Sequence, residues 1–95
     1  MYRDFVECAR APHNRESTAC FSVVADADPG VMPRVLELFA KRGLVPRLWH
    51  SKIAPTGELT IDLQVAGMEA QKARHIAGCL RRIWGVSTVL TAEKG

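Results

Sequence analysis

The side chains of this sequence that could bind a charged small molecule gather in one stretch, Asp26-Ala27-Asp28-Pro29-Gly30-Val31-Met32-Pro33. Proline has no N–H and is tolerated only in the first turn of a helix, so Pro33 makes a helix begin near Gly30 and Asp28-Pro29-Gly30 a turn. The amides of Gly30, Val31 and Met32 are then expected free at the positive end of a helix dipole, next to a residue with no side chain to keep a ligand away. A carboxylate suits such a place. Asp26 and Asp28 would repel a simple anion unless they pair with an ammonium group on the same molecule, so a zwitterionic amino acid fits better than a phosphate. The alternative is that Asp28 only caps the helix.

Other chemistry finds less support. His75 and Cys79 stand four apart on a predicted helix, but no third or fourth ligand is evident and no metal is expected. Ser17, Ser22, Ser51 and Ser87 lack a Gly-x-Ser-x-Gly setting, and there is no Gly-x-x-x-x-Gly-Lys phosphate loop. With no acid, base or nucleophile placed at a pocket, no enzymatic activity and no cofactor are expected. Thr60, Asp62 and Gln64 stand where an RNA-binding sheet would present aromatic rings, so a nucleic-acid partner is not expected. Arg74 and Arg81 share a face of the second predicted helix, which is either a solvated face or a surface for a larger protein.

The elements that must position these residues follow from apolar spacing. Thr18 to Ala25 reads as a buried strand. Met32, Val35, Leu36 and Phe39 recur at helical spacing over Val31 to Arg42, with Lys41 and Arg42 at the negative end of the dipole and Gly43 placed to cap. Leu44 to Ile53 reads as a strand with no clearly apolar face, and Pro46 confines it to a sheet edge. Edges need cover or a partner, and Leu48 and Trp49 suggest a second copy of the chain. Ala54-Pro55-Thr56-Gly57 closes a hairpin into Glu58 to Ala66, where Leu59, Ile61, Leu63 and Val65 alternate with polar residues. A second helix is predicted over Glu69 to Trp84, with Ala73, Ile76, Leu80 and Ile83 buried and Gly85 as its stop, followed by a strand over Val86 to Ala92. The order βαββαβ predicts an α+β, ferredoxin-like fold, a four-stranded antiparallel sheet with two helices on one face.

Length and composition agree. The chain has 95 residues, 47% of them hydrophobic and 24% charged, which suits one domain with a modest core. Residues 1–17 show no clean period and read as a flexible arm ahead of a domain over 18–95, with a short helix conceivable across Tyr2 to Ala9. Neither an apolar run long enough to span a membrane nor a signal-like start is visible, so a cytoplasmic protein without a membrane partner is expected. Three widely spaced cysteines do not make a disulfide framework, and a formal charge of +3 is too mild to imply nucleic acid.

Asp28-Pro29-Gly30-Val31-Met32, then Leu38-Phe39-Ala40-Lys41-Arg42-Gly43, a hairpin, a second amphipathic helix and a last strand resemble an ACT domain. The similarity runs from about Phe21 to Ala92 and is greatest to the small regulatory subunits of acetolactate synthase, which act in branched-chain amino acid biosynthesis. The resemblance implies a non-catalytic regulatory domain that forms a homodimer with an eight-stranded sheet. It also implies an effector amino acid bound between the first loop of one protomer and the second strand of the other, allosteric regulation, and a catalytic subunit as a possible partner. Carried onto this chain, Asp26, Ala27, Asp28, Gly30, Val31 and Met32 form one side of the site and Val45, Pro46 and Arg47 of the second copy the other, with Leu44, Leu48, Trp49 and His50 at the dimer seam. Ala27 and Val45 stand where valine-responsive members carry asparagines, so those polar contacts are missing. The alternative function is a protein interaction module with a vestigial amino-acid site.

Overall fold

The computed structural model describes residues 18–94, and the arm expected over residues 1–17 lies outside them. The element order is β1 (Thr18–Ala25), α1 (Val31–Ala40), β2 (Leu48–Ile53), β3 (Leu59–Ala66), α2 (Ala70–Arg81) and β4 (Val86–Lys94). All strand pairs are antiparallel and the sheet order is β2-β3-β1-β4, the ferredoxin-like arrangement that the apolar spacing predicts.

The register explains why one face is core. Ala19, Phe21, Val23 and Ala25 of β1 stand opposite Val65, Leu63, Ile61 and Leu59 of β3, and all eight are buried. Opposite residues of an antiparallel pair share a face, so these two central strands present one apolar surface to the helices. Helix α1 lays Val31, Val35 and Phe39 on it and α2 lays Ala73, Ile76, Ala77 and Leu80. Phe39 meets Phe21 edge to face, ring centroids 5.7 Å apart at 77°, a favoured geometry for two aromatic quadrupoles. Leu36, expected on this stripe, is 46% exposed. With Val31, Val35 and Phe39 facing the sheet at four-residue intervals, Leu36 is rotated about 100° away.

The ends of the elements differ from expectation for identifiable reasons. Helix α1 stops at Ala40, since Gly43 adopts a positive φ of 69°. The Leu44 amide then donates to Phe39 O and Gly43 N to Ala40 O, the paired bonds of a Schellman closure. That closure uses the Leu44 backbone, and Pro46 has no donor, so β2 begins at Leu48 rather than at Leu44. Helix α2 ends at Arg81 instead of Trp84, its last turn tightened by bonds from Arg82 N to Cys79 O and Ile83 N to Leu80 O. Strand β4 runs on to Lys94 because Thr18, Ala19 and Cys20 of β1 offer it partners. Among the described residues no helix is long and apolar enough to cross a membrane.

Candidate effector site

The loop between β1 and α1 is held from both sides. Asp26 N donates to Gly85 O at 2.8 Å, which ties the loop to the turn ahead of β4, and Asp28 N donates to Asp26 O at 2.8 Å. Gly30 N donates to Asp28 Oδ1 at 2.8 Å and Val31 N to Asp28 O at 3.0 Å. Two of the amides expected free are therefore already engaged. The short Asp28 side chain reaches the backbone two residues on, which is why aspartate favours turns. An incoming carboxylate would have to share the Gly30 amide with Asp28 or displace it.

Two residues of this site escaped the sequence reading. Arg34 folds back over the first turn, its Nη1 donating to Gly30 O at 2.9 Å, so a guanidinium stands beside Asp28 at the helix start. Its four-residue spacing from Gly30 was the available signal. A Cβ on Gly30 would run into that guanidinium and lie 3.2 Å from Asp28 Oδ1. Gly85 is the second. Its φ is 94°, and a Cβ there would sit 3.1 Å from Val31 Cγ2 and 3.9 Å from Asp26 Cβ. Gly85→Ala is expected to cost about 2 kcal/mol through backbone strain at positive φ and crowding of Val31, measured by urea denaturation.

The other half of the expected site lies elsewhere. Val45 is 83% exposed, and Arg47 N donates to Gln64 O at 2.8 Å, which fixes the entry to β2 next to β3. The β1–α1 loop follows Ala25, which pairs with Leu59, itself the partner of Ile53 at the far end of β2. Five residues separate Leu48 from Ile53, roughly 17 Å along an extended strand. A single protomer does not bring Asp26, Ala27, Asp28, Gly30, Val31 and Met32 together with Val45, Pro46 and Arg47.

The seam residues divide between the faces. Leu44 and Trp49 pack against the chain's own core, while Leu48 and His50 pair with Gln64 and Asp62 and so point away from the helices. Elsewhere, Cys79 Sγ lies 3.8 Å from His75 Nε2 and 3.7 Å from Arg42 Nη2, and among the described residues no group of three metal-ligating side chains forms. Arg42 Nη1 donates to Leu38 O, completing the end of α1 as its position suggested. Arg81, expected on a solvated face of α2 or on a surface for a larger protein, instead donates to Val89 O of β4 at 2.9 Å. The packing of α2 on β4 brings that carbonyl within reach, which helix phase alone could not show.

A ferredoxin-like sheet with an acidic turn at the start of α1 and an open β2 edge defines a small α+β domain of the class to which ACT domains belong. The chain is a member of the ACT-like domain family, whose model matches residues 12–94. It is similar to the ACT domain of GTP pyrophosphokinase from Chlorobium tepidum, at 21% identity over 81% of this chain and 99% of that one, with a TM-score of 0.69. The regulatory subunit of aspartate kinase from Thermus thermophilus is similar at 14% identity over 81% of this chain and 54% of that one, with a TM-score of 0.63. A homoserine dehydrogenase from Thiobacillus denitrificans is similar at 12% identity over 86% of this chain and 18% of that one, with a TM-score of 0.69. At these identities the likeness is one of fold. No curated protein matches the chain.

Proposed function

We propose that this chain is a non-catalytic regulatory ACT domain that pairs with a second copy along β2 and holds a small amino acid between the protomers. The observation that carries this reading is the separation of the two half-sites along β2. Antiparallel pairing of two β2 edges about a twofold axis sets the start of one strand beside the end of the other. The loop of one protomer then faces Val45, Pro46 and Arg47 of its partner. Asp26 receives the ammonium group, and the carboxylate takes the amides of Gly30 and Val31 in competition with their bonds to Asp28, with Arg34 beside them. The finer assignment, a small regulatory subunit of acetolactate synthase acting in branched-chain amino acid biosynthesis, rests on the sequence resemblance of Asp28 to Met32 and Leu38 to Gly43.

A thermal-shift screen against the twenty common amino acids tests this reading, because a ligand that binds only the folded state raises its apparent stability by mass action. One amino acid at a hundredfold excess over its dissociation constant should add about 2.7 kcal/mol. Gly30→Trp should abolish that shift, since the ring would fill the space between Asp28 and Arg34. A screen in which no amino acid moves the melt overturns the sensing role.

The occupation of the Gly30 amide by Asp28 favours a second reading, an interaction module whose amino-acid site is vestigial. Arg74, exposed on α2, is then the probe, because Arg81 is committed to β4. Under that reading Arg74→Glu weakens capture of a purified acetolactate synthase catalytic subunit, whereas Gly30→Trp leaves it unchanged.

A further inference from the structure

One flank of α2 is cationic and surrounds a thiol. Residues 70–82 contain Lys72, Arg74, Arg81 and Arg82 and no aspartate or glutamate. At about 100° per residue, Lys72, His75, Cys79 and Arg82 fall on the same flank, beside the buried stripe of Ala73, Ile76, Ala77 and Leu80. Lys72, His75 and Arg82 are exposed, and Lys72 and Arg82 have no ion-pair partner among the described residues. Glu37, the acidic residue of α1, pairs with Lys41 at 3.5 Å. Cys79 itself is half-buried and in no disulfide. Two side chains from different elements meet its sulfur. His75 Nε2 stands 3.8 Å away, one turn back on α2, and Arg42 Nη2 stands 3.7 Å away. Arg42 is anchored there by its other nitrogen, since Nη1 donates to Leu38 O at 3.0 Å.

We propose that Cys79 is a modification site for small anionic disulfides, with Arg42, Lys72 and Arg82 drawing the reagent in and His75 taking the thiol proton. A base within reach of a thiol is the usual means of activating it, and a surface of one charge sign concentrates ligands of the other. An acid-free flank selects an anionic reagent over a cationic one. In the tautomer whose proton is on Nδ1, His75 Nε2 accepts the proton of Cys79. The sulfur then attacks one sulfur of the disulfide and the S–S bond breaks. The leaving thiolate takes the proton back from the imidazolium. Cys79–SH and R–S–S–R thus give Cys79–S–S–R and R–SH, with Cys79 oxidised and one R–S group reduced. The adduct displaces the contact between Arg42 and Cys79, which joins the end of α1 to α2. This goes beyond the effector reading and does not rest on it, because Arg42 follows the end of α1 opposite to the Asp28 turn.

The test sets two disulfides of opposite charge against the full chain, the dianionic dithiobis(nitrobenzoate) and the dicationic cystamine. Peptide mass spectrometry follows the Cys79 adduct, and each rate is divided by that of the same probe with mercaptoethanol, a neutral thiol. Cys79 should favour the anionic probe at least about tenfold, and about 1 M salt should remove most of that preference. Arg42→Gln should cut the preference about threefold, while Arg42→Lys, which keeps the charge, should retain it. His75→Gln should slow both probes at least about tenfold. A normalised ratio near one in the parent chain, or a preference that salt does not touch, would overturn recruitment by charge and with it the proposal. So would rates for both probes that His75→Gln leaves unchanged, since the thiol would then react without its neighbour.

Discussion

Ser51→Pro is expected to turn a dimer into a monomer without unfolding the domain. The hairpin closes with Ala54 N donating to Glu58 O at 2.8 Å, and successive residues of an antiparallel strand turn their backbone groups alternately toward the neighbour and away. Counting back from Ala54, the groups of Lys52, His50 and Leu48 face β3, and those of Ile53, Ser51 and Trp49 face the open edge. Proline is tolerated in an edge strand when its missing N–H is the outward one. In a twofold interface the same bond is lost twice, at about 1 kcal/mol each, so the dissociation constant should rise roughly 30-fold. Ser51→Ala is the control that keeps the N–H. Analytical ultracentrifugation across a dilution series measures this, with circular dichroism confirming the fold. A parent chain that sediments as a monomer at micromolar concentration, or a Ser51→Pro dimer of unchanged strength, would remove β2 pairing and with it the two-protomer site.

Phe39→Ala carries the largest expected loss of stability, about 3–5 kcal/mol. Phe39 is fully buried and leans edge to face on Phe21, so truncation removes both the transfer free energy of a ring and its aromatic contact, and leaves a cavity between α1 and the sheet. Small domains are stable by about 5–15 kcal/mol, so this is a large fraction of the whole. The melting temperature should fall by at least about 12 °C. Leu36→Ala, one turn away and half exposed, should cost under about 1 kcal/mol. Urea denaturation of the two variants decides which residues α1 buries, and comparable losses would contradict the helix phase described above.

The loop ahead of α1 joins stability to function. Asp28 holds the Gly30 amide, Gly85 holds Asp26, and Arg34 lies over the turn, so the residues that would receive a zwitterion are already ordered around one another. An ordered loop lowers the entropy cost of binding, while the bonds to Asp28 compete with the ligand for both donors, the Gly30 and Val31 amides. Gly30→Trp and the amino-acid screen separate these contributions, because a competing internal bond weakens binding without abolishing it.

Much of this protein was legible in one dimension. Period-two alternation from Leu59 to Val65, helical spacing from Val31 to Phe39 and from Ala73 to Leu80, and the stops at Gly43 and Gly85 are local signals, and each acts through backbone geometry or a single buried face. They suffice for the βαββαβ order and for β2 as an edge. The Asp28 turn could also be placed, since Pro33 leaves the helix one starting point.

The rest depended on contacts between residues distant in sequence. That Arg81 reaches Val89 of β4 and that Gly85 braces Asp26 are properties of packed neighbours, to which periodicity is blind. The placing of the loop and Val45 at opposite ends of β2 likewise follows from strand order and register. Spacing along a chain specifies which face a residue takes, and only the tertiary arrangement decides what that face meets.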